Sequence, residues 1–380
     1  MSTQTQAIVQ GFKEELQAMS DLAKNFASKE LFGKTEVNDH YPFGELFTDT
    51  INNAGDIGFY AVNLPAEYDG IGMGDSALAS ILEKISMADA SMAGIIFTNA
   101  AAIEIINQAS LNTNCEAVYK MLCAKEALPL AFSSFTGIGE MEMPVADKKG
   151  KISGRINFLV LGGISKYAVV PAADSTQGNK ISYYLLDLNE KGIEKSEPVY
   201  SLGLHASPGV DIFLEDVPAT LIGKAGEGEK YFHAMQSHLS VGAAAISLGI
   251  LKGSFMEALQ YTKDRFQGGR QIIDWSEVRM LLANMAIEAL VGQSALASVC
   301  NDLENGTAGW EKTARAVAIH LSDMACRATV DGVQLLGGNG YMKDYGQEKR
   351  MRDAGQAHCL LGMVPVRKMD LIEMIIKESQ

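Results

Sequence analysis

The segment from Gln334 to Tyr341, QLLGGNGY, carries the residues best suited to binding an anionic group. Gly337 and Gly338 let the backbone approach a ligand closely and point amide groups at it, and Gln334 adds a side-chain amide. Glycine also favours the turn that ends a helix, whether or not a ligand is present. The segment is therefore compatible with a phosphate site and with an ordinary helix end.

A second candidate segment, DRFQGGRQIID, runs from Asp264 to Asp274 and places a glycine pair between two arginines. Arg265 and Arg270 could each form charge-assisted hydrogen bonds with a pyrophosphate. They could equally be solvated loop cations. The segment alone does not decide between these two interpretations.

The sequence contains no recognisable acid–base motif. His238 and His358 have no carboxylate at a fixed spacing that would indicate a Ser–His–Asp arrangement. Neither a GxSxG nucleophile elbow nor a P-loop motif occurs. We therefore expect both histidines to be structural, and the catalytic residue is unknown at this stage.

Composition limits the possible functions. A net charge of −14 over 380 residues argues against a nucleic-acid partner, because phosphate binding needs an excess of Lys and Arg. The five cysteines lack CxxC and zinc-ligand spacing, so we expect free thiols and no metal site. The sequence has no basic leader before an apolar run and no uncharged run long enough to cross a bilayer, which predicts a cytoplasmic protein without membrane contact.

Hydrophobic periodicity divides the chain into three parts. Residues 1–127 are mainly helical, residues 128–228 contain short β-rich runs between turns, and residues 229–380 return to helical periodicity. We predict an α+β fold with an N-terminal all-α domain, a central β domain and a C-terminal antiparallel helix bundle. The predicted bundle faces are Leu248, Leu251, Phe255 and Leu259; Val278, Leu282, Met285 and Ala289; and Ala318, Leu321 and Ala325.

Taken together, these segments resemble the acyl-CoA dehydrogenase family. The similar motifs are LPAEYDGIGMG (64–74), LEKISMADAS (82–91), LGLHASPGVDIFLEDVPATLIGKAGEG (202–228), the two glycine-containing segments above and EKRMRDAG (348–355). They follow one another in family order over nearly the whole chain. The resemblance implies the acyl-CoA dehydrogenase fold, FAD, a CoA thioester substrate and a dimer or a dimer of dimers.

The resemblance also locates the usual catalytic base. In the family, a glutamate just before a glycine near the C-terminus removes the substrate α-proton while the flavin accepts a hydride. Here Leu361 occupies that position, and Gly362 is the glycine expected beside the substrate. Some relatives carry the glutamate at a position that corresponds to Leu239. Neither leucine can accept a proton, and His358 is the candidate substitute.

The positions that hold a chain's own flavin and substrate in the family are also altered. Phe158, Leu159 and Val160 replace its Trp-Ile-Thr segment, and FSSFTGIG (132–139) replaces its Thr/Ser-Glu-Pro turn. Ser237 and Ser240 stand where an aspartate and an arginine commonly contact CoA, and Met363, Val364 and Pro365 replace a Thr-Ala-Gln run.

By contrast, Arg265, Gln334, Gly337 and Gly338 match the family's glycine-containing segments. The arginine, the glutamine and the second glycine reach, in the family, the ADP part of the neighbouring subunit's FAD. This division suggests a subunit that binds FAD only through a partner's site and pairs with a catalytically intact homologue in a dimer or heterotetramer.

Two other interpretations remain open. The chain could be an active FAD-dependent acyl-CoA dehydrogenase, reductase or elimination enzyme with a non-standard base such as His358, Cys359 or Asp89. Asp89 also fits a helix cap, and Cys359 a small buried hydrophobic residue. Alternatively, the chain could be a flavin-free scaffold. Electron-transfer flavoprotein is a further candidate partner for an oxidoreductase of this family.

Overall fold

The computed structural model describes residues 3–34, 39, 48–123, 127–133 and 143–379. Within these ranges, helices come first, strands follow and helices return, which is the order predicted from the sequence. The N-terminal helices are α1 (Thr3–Phe26), α2 (Thr48–Ile57), α3 (Gly74–Ala88), α4 (Ala90–Ser110) and α5 (Glu116–Leu122).

The central part of the chain forms a mixed sheet. Its strands in the described residues are β1 (Ala131–Phe132), β2 (Val145–Ala146), β3 (Lys151–Val160), β4 (Tyr167–Asp174), β5 (Lys180–Asp187), β6 (Ile193–Lys195), β7 (Gly209–Pro218) and β8 (Thr220–Ile222). Their spatial order is β6-β7-β3-β1-β4-β5-β8, and β2 pairs with both β3 and β4. β1 is antiparallel to β3, which places Phe132 directly opposite Val160.

The C-terminal part is a bundle of long helices. They are α6 (Gly228–Asp264), α7 (Ser276–Glu304), α8 (Trp310–Leu336), α9 (Gln347–Ala357) and α10 (Val364–Glu378), with the hairpin strands β9 (Phe266–Gln267) and β10 (Arg270–Gln271) between α6 and α7. α6 packs against α3, α4, α7, α8 and α9. The predicted bundle faces are confirmed, because their residues are buried or packed against the core.

Helix α4 lies in the core because its sequence is apolar on almost every face. It packs against α3, α6 and β1, and residues such as Ile95, Phe97 and Ile103 are buried. Its N-terminus is capped by Asp89, whose carboxylate accepts hydrogen bonds from the backbone amides of Ser91 at 2.8 Å and Met92 at 3.1 Å. The cap interpretation of Asp89 is therefore confirmed.

The glycine-rich segment 64–74 forms the predicted turn before α3. The amide of Gly72 donates to the carbonyl of Leu64 at 3.0 Å, and the amide of Met73 donates to that of Val62 at 2.9 Å. Gly70 lies so close to Leu64 that a Cβ there would stand 1.9 Å from its carbonyl oxygen. The turn therefore requires glycine at this position, and it fixes where α3 begins.

Helices α4, α6 and α7 are long and apolar enough to cross a membrane by length and composition alone. The apolar windows of α4 and α6 are almost wholly inside the protein. Only 28% of the window in α7 is buried. The outer face of α7 therefore exposes apolar residues such as Leu290 and Val291.

Candidate active site

A small apolar cavity lies where α4, the sheet and the loop between α9 and α10 meet. Its volume is about 30 Å³. A site for a small-molecule ligand typically measures roughly 300–1,000 Å³, and a cavity of this size holds about one or two water molecules. The lining residues are Gly94, Phe97, Thr98, Ala101, Phe132, Phe158, Val160, Ser201, Gly203, Leu204, Ser207, Gln356, Leu360 and Leu361.

Aromatic side chains occupy much of the space around this cavity. Phe158 adopts a positive φ of 55° and its ring lies against β7, so that a Cβ on Gly209 would be 2.9 Å from the ring. Phe132 and Val160 face each other in the sheet register and both line the cavity. The rest of the predicted FSSFTGIG turn, from Ser134 onward, lies outside the described residues.

The two positions expected to carry the base are buried and apolar. Leu239 is fully buried in α6, and Leu361 is 3% exposed and lines the cavity. Leu361 has a φ of 66°, a left-handed conformation that is strained for leucine. Its carbonyl accepts a hydrogen bond from Gln236 Nε2 at 3.2 Å, which ties the loop to α6. No proton acceptor therefore stands at either position.

The remaining polar groups at the cavity are neutral. Thr98 Oγ1 donates to the carbonyl of Gly94 at 2.8 Å, and Ser201 Oγ donates to the carbonyl of Gly203 at 2.9 Å. The other polar side chains that line the cavity belong to Ser207 and Gln356. In the described part of the chain, the lining includes neither a carboxylate nor an imidazole.

The substitute bases considered from the sequence lie elsewhere. His358 Nε2 is 2.7 Å from Asp323 Oδ1, and His358 does not line the cavity. The sequence pattern gave no sign of this carboxylate companion, because Asp323 lies on α8, 35 positions before His358. Cys359 is exposed rather than buried, because it follows the end of α9 at the surface. Asp89 is committed to capping α4 and to Lys349, 3.3 Å away.

The residues predicted to reach a neighbouring cofactor form a separate, outward-facing set. Arg265 follows the last residue of α6, and Gln334 lies in the last turn of α8; both are exposed. Gly337 ends α8 with a φ of 58°, as expected for a glycine at a helix end, and Gly338 beside it is exposed. Asn339 Nδ2 donates to Tyr261 Oη at 3.0 Å, which holds the two helix ends side by side.

The sequence also singled out Arg270, Gly362, Ser237 and Ser240, and their contacts are as follows. The Arg270 guanidinium lies over the Trp275 ring, 4.5 Å from its centroid. Gly362 has a φ of 108° and open space where a Cβ would stand. Ser237 and Ser240 donate to carbonyls one turn back in α6, at 3.2 Å and 2.6 Å.

Sequence reasoning missed a buried charge cluster around His238. His238 Nδ1 is 2.6 Å from Asp75 Oδ2, and its Nε2 is 4.0 Å from Glu104 Oε1. Burial favours the neutral form of His238, but the hydrogen bond with Asp75 and the charges of both carboxylates raise its pKa to about 9. Burial and the charge of Asp75 raise the pKa of Glu104. No local pattern could have revealed contacts between three different helices.

Two family models match the chain over most of its length. Residues 13–123 match the acyl-CoA dehydrogenase N-terminal domain, and residues 226–373 match the acyl-CoA dehydrogenase C-terminal domain. The chain belongs to the acyl-CoA dehydrogenase family. The family assignment and the fold class predicted from the sequence are therefore confirmed.

Curated relatives of this family member are similar over almost their whole length. Cyclohex-1-ene-1-carbonyl-CoA dehydrogenase of Syntrophus aciditrophicus is 26% identical, over 97% of this chain and 91% of the relative. The caffeyl-CoA reductase–Etf complex subunit CarC of Acetobacterium woodii is 25% identical, over 97% of this chain and all of the relative. The relatives thus include a dehydrogenase and a subunit of a reductase complex.

Solved structures of other proteins have the same fold as this chain. Butyryl-CoA dehydrogenase from Megasphaera elsdenii superimposes with a TM-score of 0.85, over 95% of this chain and 98% of that chain, at 22% sequence identity. At this level of identity the similarity establishes the shared architecture. The residues at the site have to be judged on their own chemistry.

The FAD expected for the family fits the two sets of residues differently. The cavity of about 30 Å³ between Phe158 and Leu361 is too small for a flavin ring together with an acyl group, and its lining offers the ring mostly hydrocarbon. The exposed Arg265, Gln334 and glycine amides are suitable donors for the phosphates and ribose of a dinucleotide. As far as the described residues go, the chain's own ring site therefore does not fit the cofactor, whereas its outward-facing set offers suitable donors.

Proposed function

We propose that this chain is a non-catalytic subunit that completes the active site of a homologous, catalytically intact subunit in an FAD-dependent acyl-CoA oxidoreductase. One observation carries the proposal: leucine occupies both base positions, and the cavity of about 30 Å³ that Leu361 lines is lined by no carboxylate or imidazole of the described residues. An acyl-CoA oxidation needs a group that accepts the α-proton. Such a group would have to come from the partner subunit's own pocket.

The outward-facing donors give the chain a role in such an assembly. Arg265 and Gln334 are exposed at adjacent helix ends, where a neighbouring subunit could bring the ADP part of its FAD. Charge-assisted hydrogen bonds from an arginine to a pyrophosphate are among the stronger ones in proteins. The chain would then bind FAD only through the partner's site.

Exposed apolar surface on two helices supports an oligomer. On α7, Leu290 is 71% exposed and Val291 is 55% exposed, and on α10 a row of apolar side chains is exposed as well. Contiguous apolar surface on a folded protein usually marks an interaction site. The apolar residues of the α10 row are Val366, Met369, Ile372, Ile375 and Ile376.

The electron acceptor of this assembly is proposed from a relative. The caffeyl-CoA reductase subunit of Acetobacterium woodii is named as part of a complex with Etf. We infer that an electron-transfer flavoprotein exchanges electrons with the partner's flavin. The thioester substrate, in turn, would bind the intact subunit.

An active enzyme is the second candidate, and the relatives favour it. They are named as dehydrogenases and reductases, and the similarity covers nearly the whole chain. This candidate needs a base within the chain and a cavity that opens by several hundred Å³. Among the described lining residues, Thr98, Ser201, Ser207 and Gln356 are the polar ones, and none has a pKa suited to general-base catalysis.

The purified chain without any homologue separates the two candidates. We expect FAD titration, followed by gel filtration, to leave no flavin on the protein, and a panel of acyl-CoA thioesters with an artificial electron acceptor to give no turnover. Addition of the homologous subunit should restore both flavin retention and turnover. One FAD per chain with turnover in the absence of the homologue would contradict the proposal and select the active enzyme.

A further inference from the structure

One loop forms part of the wall of the small cavity. It lies between β6 and β7, and its residues Ser201, Gly203, Leu204 and Ser207 all line the cavity. Leu204 and Ser207 are buried, although connecting loops usually run over the surface. The contacts that hold this segment, the 201–207 loop, therefore decide whether the cavity stays closed on this side.

The backbone of the loop is strained where it meets α9. Leu204 has a φ of 51°, a left-handed conformation that bulky side chains rarely adopt. Its amide donates to Asp353 Oδ1 at 2.7 Å, and a Cβ on Gly203 would stand 2.5 Å from the carbonyl oxygen of Arg352. Such strain persists only where the surroundings impose it, and it clusters at ligand sites and switches. Release from α9 would let Leu204 relax.

His205 ties the loop to a residue far away in the sequence. The histidine is 4% exposed. Its Nδ1 lies 2.9 Å from Asp39 Oδ1, and its Nε2 lies 2.8 Å from the carbonyl oxygen of Ser201. A carbonyl and an ionised carboxylate can only accept hydrogen bonds. Both ring nitrogens must therefore donate, so this geometry requires the imidazolium form of His205.

The charges around Asp39 keep it ionised and attached to α9. Burial alone would raise the pKa of the Asp39 carboxyl, but hydrogen bonds from His205 and Arg352 hold it well below its ordinary value. Lys343 lies 3.8 Å from the same carboxylate, and Arg352 also pairs with Glu348 within α9. Asp39 therefore stays charged and bound to α9 when His205 loses its proton.

The other charged groups on the neighbouring elements are already paired. Lys349 lies 2.6 Å from Asp353 and 3.3 Å from Asp89, and all three are buried. The Tyr200 ring lies beside the His205 ring, with 5.7 Å between their centroids. The hydrogen bond with its carboxylate partner raises the pKa of His205 above the ordinary value of 6.5, against the effect of burial. Among these groups, histidine is the type that titrates near neutral pH.

We propose that His205 is a pH-sensitive latch, whose protonated ring holds the 201–207 loop over the small cavity and whose deprotonation releases it. A neutral imidazole has a single N–H, so one of the two acceptors then faces a ring lone pair. Asp39 cannot move with the loop, because α9 holds it. The loop parts from α9 and the cavity opens on this side, whether or not the chain is catalytic.

The direction of the pH effect follows from the tighter binding of the proton in the closed state. The latch is complete below about pH 6.5 and is lost as the pH rises through the raised pKa of His205. Asp39→Asn removes the charge that helps to raise this pKa. In that variant the loop should open at a lower pH than in the parent.

Hydrogen–deuterium exchange of the intact protein, read by mass spectrometry, tests the latch. After correction for the intrinsic effect of pH, we expect amides of the 201–207 loop to exchange about tenfold faster at about pH 9.5 than at about pH 6. His205→Gln cannot carry the charge, so its loop should exchange at the fast rate at both pH values. His320→Gln, the same substitution at an exposed position on α8, should reproduce the parent profile.

Nuclear magnetic resonance of the protein with ¹⁵N-labelled histidine links the two events. The His205 signal can be assigned by its absence in His205→Gln. It should titrate with a midpoint above 6.5 that coincides with the rise in loop exchange. Strands β4 and β5 contain no histidine and serve as the internal reference, in which the corrected exchange should not rise.

Several results would overturn the latch. Loop exchange that does not change with pH would do so, as would a His205→Gln profile equal to that of the parent. An equal rise in β4 and β5 would indicate general unfolding and would also reject it. If His205→Gln does not fold, Asp39→Asn decides the question, because a rise at the same pH as in the parent rules out the latch.

Discussion

At the scale of single residues, the two positions expected to carry the base hold leucine side chains that are packed into the interior. Leu361 is buried against the small cavity, and its strained φ of 66° is held by the hydrogen bond from Gln236. Leu239 is enclosed within α6 and its neighbours. Restoring a carboxylate would therefore place a charge in hydrocarbon surroundings and would not by itself make room for a flavin.

We expect Leu361→Glu to lower the free energy of unfolding by about 2–4 kcal/mol, because it removes a buried side chain and leaves a carboxylate without a partner. It should give no acyl-CoA turnover. Urea unfolding and a thioester oxidation assay measure the two effects. Met363→Glu, two residues away and 60% exposed, should change stability by less than about 0.5 kcal/mol. A Leu361→Glu protein that is stable and active would contradict this account.

His238 gives a prediction about pH. Its pKa is about 9 in the folded protein, raised from its ordinary value of 6.5 by Asp75 and Glu104 against the effect of burial. The folded state binds the His238 proton more tightly than the unfolded state does, so the protonated histidine stabilises the folded protein. This stabilisation is complete below about pH 6.5 and is lost as the pH rises to about 9.

The stability difference between the parent and His238→Gln should therefore shrink by on the order of 2 kcal/mol between pH 6.5 and pH 9. Urea unfolding at several pH values measures it. His320→Gln makes the same substitution at an exposed position on α8 and is the matched control. A constant difference for His238→Gln would mean that the histidine is neutral in the folded protein.

At the scale of elements, the ends of α6 and α8 present the donors that a neighbouring cofactor would need. In the complex with the homologous subunit, we expect Arg265→Ala and Gln334→Ala each to increase flavin dissociation about tenfold, because each removes hydrogen bonds to a charged group. Lys263 is also exposed at the end of α6, and Lys263→Ala should leave the rate of flavin dissociation unchanged.

Flavin fluorescence after dilution of the complex measures this release. Circular dichroism should show that the variants of this chain fold as the parent does, because the substituted side chains are exposed. Equal flavin retention in all three variants would remove these residues from the cofactor site.

The exposed face of α7 makes a prediction about assembly. Leu290→Lys places a charge on the apolar surface that we expect to be covered by another subunit, so light scattering should show a smaller particle with intact helices. Leu221→Lys makes the same chemical change on β8, where the leucine is 38% exposed, and should leave the particle size as it is. An unchanged size in Leu290→Lys would exclude this face as an interface.

The elements themselves could largely be predicted, whereas the contacts between them could not. Stripes such as Leu282, Met285 and Ala289 predicted the buried faces of the bundle, and the glycines of segment 64–74 predicted a turn, because both patterns are local. The pairing of His238 with Asp75 joins residues 163 positions apart. Neither periodicity nor spacing carries that information, and the same holds for the accompanied His358 and the exposed Cys359.

At the scale of the whole molecule, the positions compared with the family form two groups that differ in polarity and exposure. The interior positions around the small cavity are apolar and closely packed, while the polar positions at the outer helix ends are exposed. We propose that this division suits a subunit that serves a neighbour's cofactor.

Native mass spectrometry of the untagged protein, purified from the cells that make it, tests the central claim most directly when flavin is quantified in the same sample. We expect a hetero-oligomer in which this chain and a homologous chain with an intact glutamate occur in equal numbers, with one FAD for every two chains. A homo-oligomer that retains one FAD per chain would contradict the account, and a flavin-free homo-oligomer would identify a scaffold instead.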